Sequence, residues 1–345
     1  MRTINHIPAR WLLAVLCLAL GCCTAYGQSP LIFPRSNNAN VGIIVMDLST
    51  GETVAEYNAE RMLTPASITK CVTAAAVEMA GLADDTYLTE VFVRGSDDGC
   101  GRLYGDIVVK ASGDPTIESG RFAGKGNIIN AITKALHESH INEIYGALEI
   151  DSVGFKEQGP IGTWEMGDLR HAYGAGLYAL NFRDNAANQL ALEDPGEELL
   201  IALEERLDHD SIDVDWNDVA PTPAPMRSIA TIISPTLAEI LRVTLETSHN
   251  LYAEAMLRKL APWGYRADAL KRETALLAEN GIDVESARIF DGSGLTRANS
   301  MTPRFMASLL AYCARQPWGP RYIGYFPLVG REGTCLLYTS PSPRD

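Results

Sequence analysis

Ser67 and Lys70 are three residues apart in the segment Thr64 to Lys70. The run of small apolar residues from Cys71 to Ala80 predicts a buried helix, and residues i and i+3 share one face of a helix. A lysine in a dry site can lose its proton near neutral pH and activate a neighbouring hydroxyl. The pair could therefore be a nucleophile and its base, although a chain of this length often contains a Ser-x-x-Lys spacing by chance.

Ser248 and Asn250, on either side of His249, form a second candidate pair. They precede the apolar helical pattern that starts at Leu251, so both side chains could point into one cleft. The alternative is that Ser248 caps the N-terminus of that helix, a position where serine is preferred. The local sequence favours the cap.

Other short patterns match known sites poorly. The acids between Asp213 and Asn217 suggest a calcium loop, but the glycine and glutamate that an EF-hand needs are missing. His137 and His140 are not four residues apart, as the histidines of a zinc-protease helix are. The segment Gly292 to Gly294 lacks the spacing of a nucleophile elbow and predicts a flexible turn. No metal or cofactor is expected.

The composition is that of a soluble globular protein. The chain has 345 residues, of which 46% are apolar and 21% are charged, and it is long enough for two or more compact units. The formal net charge of -14 argues against nucleic acid or an anionic membrane surface as a partner.

Residues 1–27 are typical of an export signal, because a basic flank precedes an apolar run from Trp11 to Leu20 that is too short to span a bilayer. Cleavage is expected after Gly27. The segment Ala19 to Cys22 is a weaker match to a lipoprotein box, since Leu20 stands where a small residue is preferred, and lipid anchoring remains the alternative. The predicted location is the periplasm or cell envelope.

Four cysteines follow the predicted signal, without the spacing of metal ligands: Cys71, Cys100, Cys313 and Cys335. A disulfide can form in an oxidising compartment, but its pairing cannot be deduced from the sequence. Cys71 is expected to be a small buried apolar residue.

The first half of the chain predicts an α+β arrangement. Val41 to Tyr57 predicts a hairpin, and short strands follow over Leu88 to Arg94 and Arg102 to Ala111. Helical spacing runs from Ile128 to His140, and Ile144 to Ile150 predicts one further strand.

The composition shifts twice, near residue 85 and near residue 226, which predicts one domain interrupted by an inserted region of strands and loops. Glu193 to Asp218 is acid-rich and predicts a solvated loop, and the prolines from Pro221 to Pro225 predict a linker. Long helical patterns return from Ser228, with amphipathic runs over Leu237 to Leu245 and Leu251 to Leu260.

With their surroundings, these motifs resemble the penicillin-binding protein 4 type of D-alanyl-D-alanine carboxypeptidase/endopeptidase. The resemblance runs in order from about residue 38 to residue 334. Besides the two motifs, it is carried by Gly105 to Val109, Ser112 to Pro115, Gly146 to Asp151, Tyr173 to Ala175, Leu180 and Asn181, Asp291 to Arg297, and Gly330 to Thr334.

This family implies a serine β-lactamase/transpeptidase-like domain, an antiparallel sheet with helices, that is interrupted by inserted domains between its two motifs. The expected division is a first part over residues 28–85, a strand-rich insertion over residues 86–225 and a second part over residues 226–334.

The resemblance also implies a mechanism. Ser67 would attack the carbonyl between two D-alanines of a peptidoglycan stem peptide and form an acyl-enzyme, with Lys70 as general base. Ser248 would relay a proton to the leaving amine, and Asn250 would bind the substrate amide and hold Lys70. Penicillin would acylate the same serine.

Asp168, Tyr173 and Arg297 match the family positions that face the diamino acid of the stem peptide. An acid beside an arginine suits a zwitterionic side-chain end. The alternative is a surface acid and a packed tyrosine with no role in binding. Which diamino acid is recognised, the preference for carboxypeptidase or endopeptidase action and the oligomeric state are left open.

The sequence departs from the family in its third motif, because neither Lys-Thr-Gly nor Lys-Ser-Gly occurs in the 345 residues. Residues 335–345 carry no family pattern and suggest a non-native tail after a C-terminal truncation. The expectation is that the intact gene product is an enzyme and that this chain is inactive or unstable. The alternatives are a β-lactamase, or a binding or scaffold protein that has lost catalysis.

Overall fold

The computed structural model describes residues 39–122, 124–216, 226–262, 264–328 and 330–334. The predicted signal, the proline-rich linker, Cys335 and the predicted tail lie outside these ranges. The strands of the described part are β1 Ile43–Met46, β2 Thr53–Tyr57, β3 Leu88–Asp97, β4 Arg102–Lys110, β5 Glu143–Gly146, β6 Leu148–Asp151, β7 Ala186–Ala187, β8 Leu190–Ala191, β9 Asp213–Trp216, β10 Met226–Ile233, β11 Ala287–Arg288 and β12 Ser300–Met301. Its α-helices are α1 Thr69–Met79, α2 Ile128–Glu138, α3 Pro195–His209, α4 Leu237–Thr247, α5 Asn250–Lys259, α6 Arg266–Glu279, α7 Pro303–Ala314 and α8 Gly319–Ile323.

The predicted hairpin and the helix after it are both confirmed. Strands β1 and β2 pair antiparallel, with Ile43 opposite Tyr57. Asp47 stabilises the turn between them, because its Oδ1 accepts from the Ser49 amide at 2.7 Å. The chain then reaches a single 3₁₀ turn, Ala66–Ile68, which leads directly into α1.

A six-stranded mixed sheet holds most of the predicted strands. Its order is β10-β3-β4-β5-β9, and β6 also pairs with β4. The β10–β3 and β3–β4 pairs are antiparallel, whereas β5 and β6 both run parallel to β4. The single strand predicted over Ile144 to Ile150 is therefore two short strands, and the Ala147 carbonyl between them accepts from the Ile107 amide at 2.8 Å.

The prediction of a solvated loop over Glu193 to Asp218 is wrong, because α3 and β9 occupy most of it. Asp194 caps α3 by accepting from the Gly196 amide at 2.8 Å, and Pro195 occupies the first turn, where it costs no backbone hydrogen bond. Three leucines at helical spacing are fully buried against the sheet: Leu199, Leu203 and Leu207. The surrounding acids cover the exposed face.

The second hydrophobic core surrounds α1. Its residues from Val72 to Val77 are almost completely buried, and the helix packs against α4, α5, α6 and α7. Small side chains allow this close approach of several helices. At the C-terminal end of α1, the buried Glu78 carboxylate pairs with Arg321 at 2.7 Å and accepts from the Tyr325 hydroxyl at 2.6 Å, which ties α8 to the core.

The α+β fold class is confirmed, with a strand-rich region and a helical region. The six-stranded sheet draws its strands from Leu88 to Ile233, and the division of the chain near residues 85 and 225 stays a prediction. Within the described ranges, no helix is long and apolar enough to cross a membrane. Among the cysteines that the structure describes, Cys71, Cys100 and Cys313 form no disulfide with one another.

Candidate active site

Ser67 lies in the 3₁₀ turn that precedes α1, and its side chain is exposed. The residue before it, Ala66, has a positive φ of 50°, a conformation that non-glycine residues rarely adopt. Thr69 Oγ1 donates to the Ala66 carbonyl at 2.8 Å and closes the turn. The nucleophile candidate is thus presented to solvent on a constrained backbone.

Lys70 is almost completely buried, and only 1% of it is exposed. Its Nζ lies 3.0 Å from Ser67 Oγ, 2.6 Å from Asn250 Oδ1 and 2.7 Å from the Ser293 carbonyl oxygen. The structure therefore brings Ser67, Lys70 and Asn250 together.

The three partners of Lys70 differ in whether they can donate a hydrogen bond to its Nζ. Asn250 Oδ1 and the Ser293 carbonyl only accept hydrogen bonds, whereas the Ser67 hydroxyl can also donate one. A neutral amine has two N–H groups and one lone pair. When the two N–H groups serve the two acceptors, the lone pair is left for the Ser67 proton, which is the arrangement that a general base requires.

Burial lowers the pKa of Lys70 to about 8, and the negative charges of Glu254 and Asp291 oppose that shift. A buried ammonium loses its hydration, so deprotonation becomes easier. Near neutral pH a useful fraction of Lys70 is consequently neutral and can accept a proton.

Asn250 connects Lys70 to the strand-rich region. It is the first residue of α5, and its Nδ2 donates to the Tyr173 carbonyl at 2.7 Å. Because its Oδ1 faces Lys70, both polar atoms of the amide are engaged and the side-chain orientation is fixed.

Ser248 does not cap α5, since His249 occupies that position. It ends α4 instead, in a left-handed conformation with a φ of 58°. Its side chain lines a cavity of about 460 Å³ together with Tyr173, His249 and Asn250. Among the described residues, no protein group is hydrogen-bonded to its hydroxyl, and its predicted relay role stays a prediction.

The three predicted specificity residues are only partly brought together. The Tyr173 hydroxyl donates to Asp168 Oδ1 at 3.0 Å. Arg297 instead pairs with Glu165, with its Nε 2.9 Å from Oε1, and both side chains are exposed. The sequence did not single out Glu165.

The segment Asp291 to Thr296 (the Asp291 turn) is largely buried and contains the turn predicted over Gly292 to Gly294, whose predicted flexibility stays a prediction. Asp291 Oδ1 accepts from the Gly294 amide and Oδ2 from the Thr296 amide, both at 2.8 Å. Trp164 Nε1 donates to the same carboxylate at 2.9 Å. This turn supplies the Ser293 carbonyl that contacts Lys70, a partner that the motifs do not indicate.

Gly294 must be glycine for two reasons. Its φ is +78°, and a Cβ would lie 1.9 Å from the Ala66 carbonyl oxygen. The Asp291 turn therefore packs directly on the residue that precedes Ser67. In the part of the chain that the structure describes, no group of three or more His, Cys, Asp or Glu side chains could hold a metal ion.

The sequence and the fold are similar to those of known proteins. The D-alanyl-D-alanine carboxypeptidase DacB of Haemophilus influenzae is 21% identical over an alignment of 370 positions that covers 86% of this chain and 75% of the relative. The D-alanyl-D-alanine carboxypeptidase of Actinomadura sp. (strain R39) is 23% identical over an alignment of 380 positions that covers 87% of this chain and 69% of the relative.

The crystal structure of penicillin binding protein 4 (dacB) from Haemophilus influenzae has the same fold, with a TM-score of 0.71 at 19% identity over 87% of this chain and 80% of that chain. A structure of the same protein complexed with a β-lactam gives a TM-score of 0.65 at 20% identity, over 87% of this chain and 79% of that chain.

A family model matches residues 30–220 and 186–338, which together extend over most of the chain. The chain belongs to the D-Ala-D-Ala carboxypeptidase 3 (S13) family.

Proposed function

We propose that this chain has the active site of a serine-type D-alanyl-D-alanine carboxypeptidase/endopeptidase, which acts on peptidoglycan stem peptides through an acyl-enzyme at Ser67. The observation that carries the proposal is the contact set of Lys70, whose Nζ meets Ser67 Oγ at 3.0 Å while two fixed acceptors occupy its other hydrogen-bonding directions. Membership of the S13 family supports the substrate class.

In the acylation step, Lys70 Nζ takes the Ser67 proton as Oγ attacks the carbonyl carbon between the two D-alanines. The tetrahedral intermediate collapses when the C–N bond breaks, and the leaving D-alanine nitrogen takes up a proton. Ser248 lies at the edge of the adjoining cavity and is our candidate for relaying this proton from Lys70.

In the deacylation step, water attacks the acyl-enzyme and loses its proton to Lys70, which restores the Ser67 hydroxyl. The net reaction consumes one water and releases D-alanine and the shortened peptide. No oxidant, metal or cofactor enters this sequence of steps.

Asn250 has a positioning role in this scheme, because its Oδ1 holds Lys70. For it also to bind the substrate amide, its Nδ2 must share or exchange its bond to the Tyr173 carbonyl. Substrate binding would then couple Asn250 to Tyr173.

We further propose that Asp168, Tyr173 and Arg297 face the diamino acid of the stem peptide. The Asp168–Tyr173 hydrogen bond supports the first two positions, and Glu165 adds an acid beside Arg297. Peptidoglycan as substrate and the export signal predicted for residues 1–27 agree with a periplasmic or cell-envelope location. Penicillin is expected to acylate Ser67, in line with the β-lactam complex of the similar protein.

The prediction that this 345-residue chain is itself inactive stays a prediction, based on the absence of Lys-Thr-Gly and Lys-Ser-Gly from its sequence. Two probes separate this question from the identity of the nucleophile. A fluorophosphonate needs an activated serine and donors close to it for the phosphonyl oxygen, whereas fluorescent penicillin also needs a working substrate cleft.

Modification of Ser67 by both probes supports the proposed enzyme and contradicts inactivity. Modification by the fluorophosphonate alone supports the nucleophile and agrees with inactivity. Modification by neither probe, in a chain shown to be folded, contradicts the assignment of Ser67. Rapid multiple turnover of nitrocefin would instead favour the β-lactamase.

A further inference from the structure

Glu254 is a buried acid of α5, and 3% of it is exposed. Its Oε1 accepts from two consecutive backbone amides, Gly292 N at 3.0 Å and Ser293 N at 2.8 Å. A carboxylate that receives two backbone N–H groups fixes the orientation of the peptide between them. Glu254 therefore orients the Gly292–Ser293 peptide.

The oriented segment in turn contacts the candidate base. The Ser293 carbonyl accepts from Lys70 Nζ at 2.7 Å, and Ser293 is completely buried. Asn250, the other fixed acceptor of Lys70, lies four residues before Glu254 on α5. Residues i and i+4 share a helix face, so this one helix sets two of the three Lys70 contacts.

We propose that Glu254 is a positioning residue for the reaction, because it holds the Gly292–Ser293 segment so that the Ser293 carbonyl directs Lys70 Nζ toward Ser67. It makes no hydrogen bond to Ser67, and its hydrogen bonds go to the Gly292 and Ser293 amides. The proposal rests on the proposed function of Lys70 as the base, and it assigns a role to an acid that lies outside the Ser-x-x-Lys and Ser-x-Asn motifs.

Two properties of Glu254 act on Lys70 and can be separated. The first is the length of its side chain, which brings Oε1 to both backbone amides. The second is its negative charge, which raises the pKa of Lys70 against the lowering effect of burial. Burial, with a smaller contribution from Asp291, raises the pKa of Glu254 itself to about 7.

Other charged or titratable groups lie on the elements that pack around Glu254 and Lys70. Those acting on Glu254 or on Lys70 are Asp291 of the Asp291 turn, Glu273 of α6, Arg258 of α5, Cys71 of α1 and His249. Glu273 makes no hydrogen bond to Gly292 or Ser293, so Glu273→Gln is the matched control for removing an acid from the same cluster.

Two substitutions separate the effect of the side-chain length of Glu254 from the effect of its charge. Glu254→Gln keeps the length of the side chain and an acceptor oxygen but removes the charge. Glu254→Asp keeps the charge but withdraws the carboxylate by about 1.5 Å, one C–C bond, so that it cannot reach both amides. Both changes are conservative, and far-UV circular dichroism and urea unfolding check that each variant is folded.

The test uses the full chain and two readouts. Nuclear magnetic resonance of ¹³Cε-labelled lysine follows the titration of Lys70 without any need for activity, and Lys70→Met assigns its signal. The rate of Ser67 modification by a fluorophosphonate is measured from pH 6 to pH 10. It gives the maximal rate at high pH (the plateau) and the pH at which half of that rate is reached (the midpoint).

We expect Glu254→Gln to lower the midpoint of the Lys70 titration by about one pH unit, the effect of losing one nearby opposite charge. We expect it to leave the plateau of the modification rate within about threefold of the parental value. We expect Glu254→Asp to reduce the plateau by about 10²-fold, because displacement of a reacting group by about 1 Å costs this much. Glu273→Gln should leave the plateau unchanged.

A parental plateau in Glu254→Asp overturns the positioning role, and an unmoved Lys70 midpoint in Glu254→Gln overturns the charge effect. If Ser67 of the parent chain is not modified at all, the proposed function fails. The Lys70 titrations then still decide separately whether Glu254 acts on the lysine.

Discussion

Replacing Gly294 by alanine tests whether the Asp291 turn positions the residues around Ser67. The new Cβ would lie 1.9 Å from the Ala66 carbonyl oxygen, whereas ordinary contact begins at 3.4 Å, so the two backbones must separate by 3.4 - 1.9 = 1.5 Å. The left-handed φ of +78° adds about 1–2 kcal/mol for a residue with a Cβ. Overpacking costs a further 1–3 kcal/mol or so, which gives a total destabilisation of about 2–5 kcal/mol.

The chain offers a matched control for this substitution. Gly281 has nearly the same φ, +76°, but a Cβ there would meet nothing within 4 Å. Gly281→Ala should therefore cost only the conformational term of about 1–2 kcal/mol and leave the chemistry unchanged. Urea unfolding measures the free energy of unfolding of both variants.

The chemical consequence is measured as the rate of Ser67 modification by a fluorophosphonate. We expect Gly294→Ala to slow it about 10²-fold, since the backbone before the nucleophile must move by more than 1 Å. Equal rates in folded Gly294→Ala and Gly281→Ala would refute the reasoning that the turn positions the nucleophile.

Three further predictions follow from the site and the fold. Lys70→Met should slow Ser67 modification by about 10²–10⁴-fold, the usual contribution of a general base, and an unchanged rate would exclude Lys70 from that role. In the parent chain the rate should rise with pH through about 8, because burial lowers the pKa of Lys70 to that value and only the neutral amine accepts a proton, and a pH-independent rate would contradict this. Leu203→Ala should lower the free energy of unfolding by about 2–5 kcal/mol, because Leu203 is fully buried, whereas the exposed Glu205→Ala on the same helix should change it by less than about 0.5 kcal/mol. Similar values for the two variants in urea unfolding would contradict the packing of α3.

The local elements could be predicted because their signals lie within a few residues. The hairpin β1–β2 follows from alternation around a turn, and α2 from helical spacing of isoleucines and a leucine. A solvated loop is predicted in place of α3 because acids outnumber leucines in this segment. The i, i+4 and i+8 spacing of the leucines is the weaker signal beside this high charge content. The cap at Asp194 followed by Pro195 was the available signal.

The Ser67–Lys70 contact follows from helix geometry alone, since the two residues are three apart. Asn250 is 180 residues from Lys70, and the resemblance to a family, not the local pattern, indicated it. The Ser293 carbonyl could not be predicted in this way, because any residue has a carbonyl and the contact joins positions 223 residues apart. The role of Glu254 depends on that contact and therefore could not be predicted from the sequence either.

The central claim is that Ser67 is a nucleophile activated by Lys70. Peptide mapping by mass spectrometry after fluorophosphonate treatment of the folded chain tests it most directly. We predict a single adduct on the peptide that contains Ser67, and its loss in both Ser67→Ala and Lys70→Met. An adduct on a different serine, or an undiminished adduct in folded Ser67→Ala, would contradict the claim.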